Sequence, residues 1–121
     1  MRTRRTILLV SADERLQRTA ALILRGAGFL VCTAANQMEA MACLDKTDID
    51  LVFYDIKEET AECLLEIHQK SSEIPLLILG SVQQREGAGQ FDFPNTCLEK
   101  PVDPEKILDQ IQQILGSNPS T

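Results

Sequence analysis

Leu51-Val52-Phe53-Tyr54 is an unbroken apolar run of β-favouring residues held between two aspartates, Asp50 and Asp55. A strand with one wet face alternates apolar and polar side chains, whereas a run without alternation fits a parallel strand covered on both faces. Such a strand requires a layer above it and another below, so the rest of the chain has to supply both. Open parallel sheets gather function at the carboxyl ends of their strands, which makes Asp55 a site candidate. The plainer alternative is that Asp55 opens a loop, a common use of aspartate.

The remaining sequence supplies strands and helices in alternation. Thr6–Val10 reads as the first strand, 29–33 as the second, 50–55 as the third and 74–79 as the fourth, with Pro75 tolerable only near its start. Thr96-Cys97-Leu98 is a short fifth. Between the first two strands Leu16, Ala20, Ile23 and Leu24 recur at helical spacing, and Gly26 and Gly28 end that helix. Asn36 with Glu39 three residues on forms an N-terminal cap for a helix carrying Met38, Met41 and Leu44. Thr60 opens a third helix to about residue 71 with Cys63, Leu64 and Ile67 inward. The glycines and glutamines of 80–94 predict a short or distorted helix, with 81–93 the least ordered part of the domain between its termini. Asp103-Pro104 opens the last helix, whose stripe is Ile107, Leu108, Ile111, Ile114 and Leu115, and Gly116 closes it. The domain therefore covers 6–116, with 1–5 as an N-terminal extension and 117–121 as a tail or the start of a linker.

Five strands alternating with five helical segments give an α/β (βα)5 plan, a parallel sheet with right-handed crossovers and helices on both faces. The flavodoxin-like three-layer sandwich, strand order 2-1-3-4-5, is its natural form. That order sets the ends of the first and third strands side by side, so Asp55 faces Ser11-Ala12-Asp13-Glu14, and the end of the fifth strand brings Lys100 to the same crevice. A chain of 121 residues with 44% hydrophobic content can build this core without disulfides or metal. A net charge of −6 argues against a nucleic-acid face or an anionic-membrane patch. No apolar run is long enough to cross a bilayer, and the run after the basic start breaks at Ser11, too early for a secretory leader. A cytoplasmic setting is expected. Cys32, Cys43, Cys63 and Cys97 are scattered without a CxxC pair, and read as reduced, mostly buried small hydrophobes.

Three stretches together resemble the receiver domains of two-component response regulators, and the resemblance spans residues 6 to 115. They are Ile7-Leu8-Leu9-Val10 with an acid-containing loop after it, Asp50-Leu51-Val52-Phe53-Tyr54-Asp55-Ile56, and Leu98-Glu99-Lys100-Pro101-Val102-Asp103. The resemblance implies that Asp55 corresponds to the aspartate that takes a phosphoryl group from a histidine kinase, and Lys100 to the lysine that meets it. It implies Mg²⁺ held by that aspartate, by two acids directly after the first strand, and by the backbone carbonyl of Lys57.

The sequence departs from that pattern at several of these positions. The acidic pair is replaced by Ser11 and Ala12, with Asp13 and Glu14 displaced toward the helix. Asp13 is a substitute ligand only if the loop register slips; Ser11 and Glu14 read equally as a capping box, Ser11 bonding the amide of residue 14 while Glu14 reaches back. The hydroxyl expected at the end of the fourth strand is Gly80, the aromatic of the fifth strand is Cys97, and the Gly and Pro of the loop after the phosphoacceptor are Cys63 and Glu59. Mg²⁺ wants near-octahedral oxygen ligands, for which one carboxylate and a carbonyl are a poor set, so no cofactor is expected. The reading is therefore a degenerate receiver that is no enzyme and binds protein partners, a histidine kinase or an output domain, with oligomerisation left open. A working phosphoreceiver with non-standard Mg²⁺ ligands is the alternative. A flavodoxin-like small-ligand protein is a remote third, because the acids of the first loop would repel a phosphate. Without metal, Asp55 and Lys100 are expected to form a partly exposed ion pair of small energetic weight.

Overall fold

A computed structural model describes residues 5–55, 66, 67, 69, 70, 73–80, 96–99 and 103–115. In chain order the elements are β1 (Thr6–Val10), α1 (Glu14–Gly26), β2 (Leu30–Ala34), α2 (Gln37–Lys46), β3 (Leu51–Asp55), β4 (Leu76–Gly80), β5 (Thr96–Glu99) and a C-terminal helix (Pro104–Ile114). Residues 66, 67, 69 and 70 are also helical. All five strands pair in parallel in the order β2-β1-β3-β4-β5, as the alternating pattern predicts. The expected third helix beyond those four residues, Cys63, Leu64 and the 81–93 segment lie outside the described residues.

Strand alternation divides the core in two. Leu8, Val10, Val52, Tyr54, Leu76 and Ile78 point to one side, where Ala40 of α2 and Ile67 cover them. Ile7, Leu9, Leu51, Phe53, Leu77 and Leu79 point to the other, under Ala20, Ala21 and Leu24 of α1 and Ile107 and Ile111 of the C-terminal helix. This double cover is why Leu51–Tyr54 carries no polar alternation, each fully buried aliphatic or aromatic side chain there contributing about 1.5–3 kcal/mol. Asp50 locks the bottom of the sheet: its Oδ2 accepts from the Thr6 amide at 2.7 Å, and its own amide donates to the Thr6 carbonyl at 2.8 Å.

Several boundaries differ from the sequence expectation for local reasons. β2 begins at Leu30, one residue late, because Phe29 still belongs to the turn in which its amide bonds Leu24 O and Gly28 takes φ +101°. β4 begins at Leu76, after Pro75, and reaches Gly80. In α2, Asn36 caps as expected, its Oδ1 accepting from Glu39 N, but the Glu39 carboxylate reaches back to the Ala35 amide. Met38 is 80% exposed, and the packed face is Ala40, Met41, Cys43 and Leu44. Asp103 caps the C-terminal helix, with Pro104 in its first turn, as the sequence indicates. No described helix is long and apolar enough to cross a membrane.

Candidate functional site

The site is built by the ends of β1 and β3. Val10 pairs with Tyr54, so the next positions in the ladder are Ser11 and Asp55. Both side chains turn to the α1 side, continuing the parity of Leu9 and Phe53. Asp55 is 1% exposed and Ser11 2% exposed. The Ser11 hydroxyl donates to Asp55 Oδ2 at 2.7 Å and accepts the Asp13 amide at 3.1 Å. The Ser11 amide extends the sheet by donating to Ala34 O at 2.9 Å. Gln17, on the first turns of α1, clamps the two strand ends: its Nε2 donates to both Ser11 O and Ala34 O at 3.1 Å.

The expected capping box at 11–14 gives way to a different arrangement. α1 is capped by Asp13, whose Oδ1 accepts from Arg15 N and Leu16 N at 3.0 and 3.3 Å. Ser11 does not bond the amide of residue 14, because its hydroxyl is already engaged by Asp55 and the Asp13 amide. Asp13 thus directs a carboxylate oxygen at its own helix N-terminus, where the orphan amides and the helix dipole favour it. Ala12 is exposed and brings no donor.

Gly80 ends β4, one residue beyond the Asp55–Leu79 pair, and stands opposite Glu99, the residue before Lys100. Cys97 lies opposite Ile78. Lys100 and the Lys57 carbonyl are outside the described residues, so the expected ion pair is not placed. Asp55 itself is buried rather than partly exposed.

At the head of the sheet the neutral hydroxyl of Ser11 stands directly beside the Asp55 carboxylate, while Asp13 Oδ1 is turned to the α1 amides. Mg²⁺ takes six oxygens in near-octahedral geometry and favours anionic ones, and this pair does not fit it. Among the described residues no group of three His, Cys, Asp or Glu is placed to hold a metal ion. The roles of Gln17 and Asp50 were missed in the sequence. A glutamine next to the apolar stripe of α1, between Leu16 and Ala20, is the signal that could have found the first.

No protein-family model and no curated protein matches the chain. Solved structures do. A CheY-like response regulator receiver domain protein from Methanospirillum hungatei superposes with a TM-score of 0.82 at 22% identity, covering 94% of this chain and 95% of that one. The chemotaxis response regulator CheY4 of Vibrio cholerae gives 0.79 at 24% identity, covering 93% and 99%. A response regulator receiver protein from Sinorhizobium medicae gives 0.79 at 21% identity, covering 95% and 97%. The chain has the fold of the CheY-like response-regulator receiver domains.

Proposed function

We propose that this chain is a receiver-type module of two-component signalling that no longer takes a metal-assisted phosphoryl group on Asp55 and acts by binding protein partners, a histidine kinase or an output domain. The observation that carries this reading is the buried 2.7 Å hydrogen bond from Ser11 Oγ to Asp55 Oδ2. A neutral hydroxyl occupies the position beside the acceptor carboxylate where an acid would be needed. Phosphoryl transfer to a carboxylate crowds anionic oxygens together, and a hard cation is the usual means of offsetting that charge. With Ser11 and Ala12 in place of two acids, the chain's own residues bind Asp55 internally. They provide a buried, hydrogen-bonded strand-end carboxylate rather than a cation site.

The experiment is a calorimetric Mg²⁺ titration of the native protein beside the Ser11→Asp/Ala12→Asp variant. The native protein should show no saturable binding, and the variant should gain it, since charge and oxygen count set affinity for hard cations. Saturable binding by the native protein that is lost in Asp55→Asn would reverse the proposal. It would favour the second reading, a working phosphoreceiver with non-standard ligands, for which Asp55 at the strand end and Asp13 beside Ser11 are the supporting residues.

A further inference from the structure

We infer that the outer edge of β2, with the groove between it and α1, docks an extended acidic segment of a partner protein, which adds to the sheet as a sixth strand. This goes beyond the Asp55 site and does not depend on how that site is used.

β2 is an edge strand. Its ladder phase is fixed at both ends, where the Leu30 amide donates to Arg5 O and Ala34 O accepts the Ser11 amide. Leu30, Cys32 and Ala34 therefore spend their backbone groups on β1, and Val31 and Thr33 turn their N–H and C=O outward. Natural edges are guarded by charged residues, proline or bulges. Leu30-Val31-Cys32-Thr33-Ala34 has neither charge nor proline, Thr33 is exposed, and Leu30 is 47% exposed. Among the described contacts one covers this edge: Arg25 Nη2 donates to Val31 O at 3.3 Å, in an exposed setting where it is readily exchanged.

The chemistry of the occupant follows from the groove beside the edge. It is lined by Glu14, Gln17, Arg18, Ala21, Arg25 and Thr33. Two arginines flank the open strand of a chain whose net charge is −6. Glu14 meets Arg18 at 3.8 Å, but the two side chains are 87% and 82% exposed, so solvent screens the pair and leaves Arg18 available. An added strand would take affinity from main-chain bonds to Val31 and Thr33, and specificity from acidic side chains meeting Arg18 and Arg25.

The test uses the whole chain and a fluorescein-labelled peptide of alternating valine and glutamate, with an alternating valine and lysine peptide as control. Fluorescence anisotropy should show binding of the glutamate peptide alone, weakening as salt is raised. Amide exchange should slow at Val31 and Thr33. Arg18→Glu/Arg25→Glu should weaken binding by about tenfold or more, or roughly 1.4 kcal/mol. Thr33→Pro should abolish it, because an edge tolerates proline where the N–H faces solvent but can no longer donate there. Circular dichroism checks that each variant folds, and if Thr33→Pro does not, the charge-reversed variant decides. Equal binding of the lysine peptide, insensitivity to the charge reversal, protection confined to other amides, or a β2-paired dimer of the chain itself in light scattering would each overturn the inference.

Discussion

Ser11 and Asp55, separated by 44 positions in sequence, are joined by a 2.7 Å hydrogen bond at adjacent points of the β1–β3 ladder, and both side chains are buried. A hydrogen bond to a charged, buried acceptor is worth more than an ordinary one. Ser11→Ala should therefore lower stability by about 1–3 kcal/mol in urea unfolding. Ser11→Asp should cost at least as much without metal, since it sets two carboxylates side by side away from water. A Ser11→Ala protein as stable as the native one would mean that the contact has no energetic role.

Asp13 and Asp103 cap two helices that cover the same face of the sheet. Replacing either by alanine should cost about 1 kcal/mol, and Asp13→Asn, which keeps the cap, should cost much less. Denaturation midpoints of the three variants measure this. Equal losses for Asp13→Ala and Asp13→Asn would show that the negative charge, not the cap, is what Asp13 contributes.

How much of this was legible in the sequence varies from element to element. The β3 run was readable because continuous apolarity has one simple cause, cover on both faces, and the strand order followed from alternation. Ala34 was missed as a strand residue because alanine carries no β preference, and its place is set by the Ser11 amide and Gln17. The capping box failed because Ser11 and Asp13 can each cap the helix, and what decides between them is Asp55, far away in the chain. Local pattern reads local bonds, and the Ser11–Asp55 pair is not local.

Cys32 and Cys43 pack against the same core cluster, and burial pushes the Cys43 thiol up from 9.0 to about 11, aided by the neighbouring Cys32 thiol. The neutral thiol is the favoured form, so its contribution to stability is full below about pH 9 and is lost as pH rises through about 11. Iodoacetamide at pH 8 should accordingly modify Cys43 far more slowly in the folded protein than in urea, because the thiolate is the nucleophile. Equal rates in the two conditions would contradict the assigned environment.

Gly28 takes φ +101° in the turn from α1 into β2, with nothing within 4 Å of where a Cβ would stand. Gly28→Ala should destabilise the fold by about 1 kcal/mol through backbone strain alone. Thermal unfolding that shows no change would place the cost elsewhere in the turn.

The central claim, that Asp55 is held by Ser11 and does not serve as a metal-assisted phosphoryl acceptor, is tested most directly by mass spectrometry under native conditions after incubation with Mg²⁺ and acetyl phosphate. The account predicts that the native protein keeps its unmodified mass. It further predicts that the Ser11→Asp/Ala12→Asp variant gains one phosphoryl group, with Gly80→Thr needed in addition before the fold responds to it. A phosphoryl group on the native protein, absent from Asp55→Asn, would contradict the account and turn attention to Asp13 as the ligand that makes it possible.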